Sequence, residues 1–217
     1  MAISQAKKLE LITKHSRKFA TKMNGASPVL EGVHYSADGS VVVTDRHKLL
    51  RIGGAHSFTQ PFTSHAVTGA PIDGQYPDTS RIIPMELPTQ ITLISDGFRR
   101  DDVKDTIARV KLAVETAKVA GDKSFITALV VERSVAMLVV KNEEPRVKFS
   151  AVINAELYGP DMTLAFNAEL FLAALNVFKD AGSKRVTIGL ISATSPIVLR
   201  DEDNEIDAVV LPYRRSA

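Results

Sequence analysis

The 217-residue chain reads as an α+β protein in which helices cover one face of antiparallel sheets. Three observations predict this class. A helix-like segment followed by short strands occurs three times. Apolar spacing switches between the helical and the alternating period at each step, and Gly or Pro marks the breaks. No strict sequence period accompanies the repetition, so what repeats is a supersecondary unit.

In the first unit, a helix over residues 5–22 places Leu9, Ile12, Phe19 and Met23 on one side. Lys7, Lys14, Arg17, Lys18 and Lys22 lie on the other, and Asn24-Gly25 supplies a stop. Strand-like runs at 29–35 and 40–43 flank Ala37, Asp38 and Gly39 as a hairpin. From 51 to 75, Gly53, Gly54, Pro61, Gly69, Pro71 and Gly74 leave little periodicity beyond a short strand near 65–68. Pro84 to Pro88 reads as a linker.

The second unit opens with a strand at 90–95 and a helix over 102–120, where Val103, Ile107, Val110, Val114 and Ala117 keep helical spacing. Strands at 125–131 and 135–141 pair around Glu132, Arg133 and Ser134, and a further strand covers 147–153. Gly159-Pro160 breaks the chain. The third unit is a strand at 162–164, a helix over 167–179 stopped at Gly182, and strands at 186–191, 197–200 and 206–211.

Composition narrows the function classes. With 45% hydrophobic and 24% charged residues the chain has the material of an ordinary globular protein. The absence of cysteine excludes disulfides, thiolate metal sites and thiol nucleophiles, and suits a reducing compartment. No secretory apolar core and no run long enough for a bilayer are seen, so the expected location is the cytoplasm, with no membrane partner. A formal net charge of +2 means that any nucleic-acid affinity must come from where the cations lie.

Catalytic constellations do not form in the sequence. The histidines at 15, 34, 47, 56 and 65 have no zinc-type pairing, and no Gly-rich phosphate loop or Gly-x-Ser-x-Gly turn is present. Asp101-Asp102 falls at a helix start and Asp201-Glu-Asp203 in a hairpin turn, where carboxylates have structural roles. The expectation is a non-enzyme with no catalytic residue, metal or cofactor.

Four stretches, in order, resemble the second and third domains of the bacterial DNA polymerase III β subunit, the replicative DNA sliding clamp. Following Pro28-Val-Leu-Glu-Gly-Val-His34, the family motif Thr-Asp-Gly-His-Arg-Leu stands as Thr44-Asp-Arg-His-Lys-Leu49. The interdomain pattern Asp-Gly-(aromatic)-Pro-Asp with a following Arg and Pro is similar to residues 73–84. Phe166-Asn167 and Leu172-Ala-Ala-Leu-Asn176 match the start of the last helix, and Val209-Val-Leu-Pro-Tyr-Arg-Arg215 the family's ending. Two departures stand out. Arg46 occupies a position that is usually Gly, and the region 50–72 is several dozen residues too short for the helix and strands the family places there.

The resemblance implies a sliding-clamp fold with a shortened clamp domain at 1–84, a linker at 85–88 and a complete clamp domain at 89–217. It also implies an apolar cleft for short partner peptides. Leu30, Thr44, Arg46, His47, Lys48 and Leu49 would line it from the first part, and Pro77, Arg81 and Ile82 from the linker pattern. Asn167, Leu170, Thr194 and Pro196 would join from the second part, with Val209, Val210, Leu211, Pro212, Tyr213 and Arg214 from the ending. Taken alone, His47 has no assigned chemistry. Lys7, Lys14, Arg17, Lys18 and Lys22, with Arg109 of the second helix, would face duplex DNA without base readout, although such a basic side is equally a solvated helix face.

Two functions are compatible with these features. One is a processivity factor that tethers DNA polymerase and other clamp-motif proteins to duplex DNA as a homo-oligomer, with a clamp loader as a further partner. The other is a clamp-like adaptor or decoy that binds clamp-interacting peptides or a host clamp without encircling DNA.

Overall fold

The computed structural model describes residues 2–22, 27–142 and 146–213. They divide into two compact units. Unit 1 is Met1–Pro84 with Arg200–Val209, and unit 2 is Met85–Leu199 with Val210–Ala217.

Unit 1 starts with α1 (Gln5–Phe19), capped by the Ser4 hydroxyl, which accepts from the Lys7 amide. The helix ends at Ala20, whose extended backbone breaks the helical path earlier than residue 22. Met23 and Asn24-Gly25 lie outside the described residues. Its buried side is Lys8, Leu11, Ile12, His15, Ser16 and Phe19, a continuous i, i+3, i+4 stripe. Leu9, expected on the apolar side, is 39% exposed. The stripe is shifted because Lys8 can be buried: its ammonium donates to the Gly53 carbonyl and to Glu205, both at 2.7 Å.

A 3-10 turn over Pro28–Glu31, with Pro28 in its first turn, replaces the front of the expected strand. The strands of unit 1 are β1 (Gly32–Tyr35), β2 (Val41–Thr44), β3 (Lys48–Ile52), β4 (Phe62–His65) and β13 (Ile206–Val210). Their order is β4-β1-β2-β3-β13. The strand expected near 65–68 is β4, three residues earlier, and 65–69 is instead a turn closed by the Gly69 amide on the His65 carbonyl at 2.9 Å. Val42 of β2 and Leu49 of β3 pack with Leu30, Tyr76 and Val209 into the buried cluster of this unit.

Unit 2 contains β5 (Thr89–Ile94), α2 (Asp102–Val119), β6 (Ile126–Glu132), β7 (Val135–Asn142), β8 (Val147–Ile153) and β9 (Glu156–Tyr158). These are followed by β10 (Met162–Asn167), α3 (Ala168–Ala181), β11 (Arg185–Leu190) and β12 (Ile197–Asp201). Its sheets run β12-β11-β5-β9 and β10-β6-β7-β8. Helix α2 packs on α3 and touches β5, β6, β7 and β8, so its buried Val103, Ile107, Val110, Val114 and Ala117 are the helical face read from spacing. Asp101 caps α2 by accepting from the Lys104 amide, and buried Asp102 accepts from the Ile94 amide and the Arg100 guanidinium. Both carboxylates are structural. Asn167 caps α3 through the amides of Glu169 and Leu170, and Gly182 ends it at φ +70°.

Gly159 sits at φ +99°, and a Cβ there would fall 2.0 Å from the Pro88 carbonyl oxygen. Gly159→Ala should therefore cost about 2–3 kcal/mol, read as a drop in melting temperature. In unit 1 the Tyr76 hydroxyl accepts the buried Thr44 amide at 3.1 Å. Tyr76→Phe removes that acceptor and should cost about 1–2 kcal/mol in denaturant titration. Burial pushes the Tyr76 hydroxyl above its ordinary pKa of 10.0, with the Thr44 bond acting in the opposite direction. Above that value the unfolded phenol ionises while the folded one keeps its proton, so stability falls as pH rises. This part of the alkaline loss should be missing in Tyr76→Phe, and an unchanged alkaline slope would refute the assignment.

Candidate peptide-binding surfaces and basic faces

The stretch 44–49 forms a hairpin turn between β2 and β3 and is held from within. The Asp45 carboxylate accepts the amides of His47 and Lys48, both at 2.9 Å, and pairs with the Lys48 ammonium. The Thr44 hydroxyl donates to the Lys48 carbonyl at 2.7 Å and accepts the Arg46 amide at 3.2 Å. Lys48 is buried, its ammonium 5.8 Å from the centre of the Phe19 ring. Arg46 and His47 are the exposed members. Arg46 stands at φ +76°, so the backbone does use the conformation that favours glycine, and its guanidinium donates to the Ser27 hydroxyl at 2.6 Å.

Leu49 of this stretch belongs to a buried cluster with Leu30, Val42, Tyr76 and Val209, with Val29 and Ile83 packed against it. Tyr76 is its aromatic member. The ring stacks on His34 at 4.6 Å with an interplanar angle of 8°, and burial pushes the His34 pKa down against the opposing pull of Asp38. Of the residues expected from the linker pattern, Pro77, Arg81 and Ile82 are exposed, whereas the neighbouring Tyr76 and Ile83 reach the cluster. The signal that could have found Tyr76 is the aromatic inside the quoted pattern itself.

In unit 2, Asn167 is half-buried as the α3 cap, Leu170 and Pro196 are half-buried, and Thr194 is exposed. Val210 is buried, whereas Leu211 and Tyr213 are 39% and 42% exposed. Pro212 bridges to Phe166, and the Tyr213 amide donates to the Ala165 carbonyl at 2.7 Å, fixing the chain end beside β10. Thr194 and Tyr213 also line an open cavity of about 960 Å³, together with Ala128, Val139 and Ala165 among others. Arg214 lies outside the described residues.

On α1, Lys14, Arg17 and Lys18 are exposed, and Lys22 is exposed just beyond the helix. Lys7 pairs with Glu10 at 2.9 Å, and Arg109 of α2 lies 3.7 Å from Asp105. Among the described residues no group of three or more His, Cys, Asp or Glu is placed to hold a metal, and no helix is long and apolar enough to cross a membrane.

Comparison with known proteins gives one consistent result. Residues 80–214 match the family model described as DNA polymerase III beta subunit, C-terminal domain. The beta sliding clamp of Streptococcus pneumoniae serotype 4 is 28% identical over 145 residues, 66% of this chain and 35% of that protein. Among solved structures, the Streptococcus pyogenes DNA polymerase beta subunit aligns with a TM-score of 0.80 at 16% identity, over 99% of this chain and 66% of the other. The Pseudomonas aeruginosa sliding clamp gives 0.78 at 18% identity, with coverage of 99% and 66%. The S. pneumoniae beta chain gives 0.75 at 20% identity, with coverage of 99% and 64%. The chain thus has the sliding-clamp fold and spans about a third of the length of the curated relatives it matches. By the extent of the family match, the chain belongs to the DNA polymerase III beta subunit family.

Proposed function

We propose that this chain is a non-enzymatic, cytoplasmic, clamp-like protein of DNA replication that binds short apolar peptides of replication proteins and tethers a polymerase to duplex DNA. Residues 1–84 then serve as a shortened clamp domain, 85–88 as a linker and 89–217 as a complete one. The observation that carries the peptide reading is the part-exposed apolar surface of the chain's ending, where Leu211 and Tyr213 are 39% and 42% exposed and suit leucine and phenylalanine partners. In unit 1 the Leu30, Val42, Leu49, Tyr76 and Val209 cluster is buried and supports the 44–49 turn, whose exposed Arg46 and His47 can fix a peptide backbone. Exposed cations on α1 support contact with phosphate. Tethering acts by raising the partner's local concentration on DNA, in a homo-oligomer opened by a clamp loader.

A second reading, an adaptor or decoy that captures clamp-binding peptides or a host clamp without encircling DNA, is favoured by one feature of unit 1. The outer side of β4 is already taken: the His65 amide donates to the Ala70 carbonyl at 2.7 Å and the Ile72 amide to the Thr63 carbonyl at 2.9 Å. Pro71, which bridges to Ser64, puts a residue without an N–H on the outside. Such an edge is poorly suited to accept a strand from another subunit.

Sedimentation analysis separates the two readings, since a stable monomer that still binds a clamp-motif peptide sinks the self-assembled form. Leu211→Asp, at a part-exposed position, should abolish binding of a leucine/phenylalanine clamp-motif peptide in calorimetry while leaving the melting temperature nearly unchanged. Unaltered affinity would reject that residue as part of the site. Replacing Lys14 and Lys18 together by Glu should weaken duplex binding and flatten its salt dependence, the slope falling by about 0.9 for each phosphate no longer neutralised. Identical salt curves for the two proteins would leave α1 as a solvated face.

A further inference from the structure

The connection from β5 to α2 presents a side chain that neither reading employs. Phe98 is 100% exposed, at the tip of a short closed loop. The loop is rigidly built. Ser95 and Asp101 form a bridge at its base, and the Asp96 amide donates to the Arg100 carbonyl at 2.9 Å. The Asp96 carboxylate accepts three amides, from Phe98, Arg99 and Arg100, at 2.8, 2.9 and 3.0 Å. Those three bonds hold the Asp96 carboxyl below the usual carboxylate range, so the clamp persists at neutral pH. Gly97 takes φ +79°, a conformation open to glycine, just before Phe98.

The cations of the loop and of the segments next to it are unequally engaged. Arg100 is engaged by Asp102 at 2.8 Å, and Lys104 by Asp101 at 2.7 Å. Arg99 is exposed beside Phe98, and Lys184 is exposed where its carbonyl accepts the Ser95 amide at 2.8 Å. Neither has an ion-pair partner among the described residues, so both keep their charge available. An exposed aromatic ring on a fixed backbone, with uncommitted cations on the same loop and on the segment paired to it, is the combination that stacks on a nucleobase while neutralising phosphate. An intact duplex offers no open base face, so the chemistry fits unpaired nucleotides.

We propose that the loop 95–101 is a contact for single-stranded nucleic acid, Phe98 stacking on an unpaired base while Arg99 and Lys184 meet adjacent phosphates. The proposal rests on the reading that the chain works on DNA, and adds to it a site for the unpaired strand beside a duplex.

Fluorescence anisotropy with a blunt duplex and with the same duplex carrying a single-stranded overhang tests it. The wild-type protein should favour the overhang, and Phe98→Ala should remove roughly a tenfold advantage without altering blunt-duplex affinity or melting temperature. Phe98→Trp should keep the advantage and Phe98→Leu should not, while Arg99→Ala should lower the salt slope for the overhang by about 0.7. An advantage that survives Phe98→Ala, or that Phe98→Leu retains in full, overturns stacking. Equal wild-type affinity for the two probes overturns the loop proposal but leaves duplex binding standing. Overhang binding without blunt-duplex binding supports the loop and counts against the duplex reading.

Discussion

The bond from the buried Thr44 amide to the Tyr76 hydroxyl is the constraint around which unit 1 is arranged. Tyr76 belongs to a stretch with almost no periodicity of its own, and its ring reaches back to stack on His34 of β1 while its oxygen satisfies an amide at the end of β2. Leu30, Leu49 and Val209 come from three further segments to the same cluster. A tyrosine suits this place better than an aliphatic residue because it contributes a large apolar area and also an acceptor for a buried donor. Removing its oxygen would leave a buried donor unpaired at the end of β2, beside a turn whose own bonds come from Asp45 and Thr44.

Unit 1 manages with little. In unit 2 the helices α2 and α3 cover each other, whereas α1 is the single α-helix of its unit among the described residues and meets β2 and β3 on one side only. Its other side carries Thr13, Lys14, Arg17 and Lys18, so no large apolar face is left bare. Polar ties supplement the small core. Lys8 joins α1 to Glu205 and Gly53, and Arg200 connects Asp207, at 2.7 Å, to the Pro84 carbonyl at 3.1 Å. The chain leaves unit 1 after Pro84, so that last bond holds the exit point. Residues 70–72 bond along the outer side of β4 and so finish that edge of the unit.

Where the chain has periodicity, its structure was legible. Strand β8 occupies 147–153 as expected, α2 buries the expected valines, and Asn167 and Gly182 bound α3 through cap chemistry that is visible in the sequence. Misplacements arose where a tertiary partner decides the outcome. The buried stripe of α1 includes a lysine, which no hydrophobicity pattern selects, because Glu205 lies 197 residues away in the sequence. Strand β9 has three residues and pairs only through β5, too short for alternation to register. In unit 1 the aromatic of the linker pattern, Tyr76, and Ile83 join the buried cluster while Pro77 and Ile82 beside them stay exposed; facing in an irregular segment is set by packing and has no periodic signal in the sequence.

Arg46 shows how far a departure from a family pattern can be read physically. The pattern's glycine implies a positive φ, and an arginine in its place suggests either that the conformation has relaxed or that the side chain has gained a use. The turn keeps φ +76°, so the conformation has not relaxed, and a non-glycine residue there carries a penalty of about 1–2 kcal/mol. Something must offset it. Asp45 and Thr44 over-determine the turn through three amides and the Lys48 ammonium, which leaves residue 46 no cheaper conformation. The guanidinium then gains the Ser27 hydroxyl while the residue stays exposed. Under the proposed peptide reading, an exposed cation held in this way favours a partner peptide with an acidic group or a free backbone carbonyl at that point, a preference that a glycine could not impose.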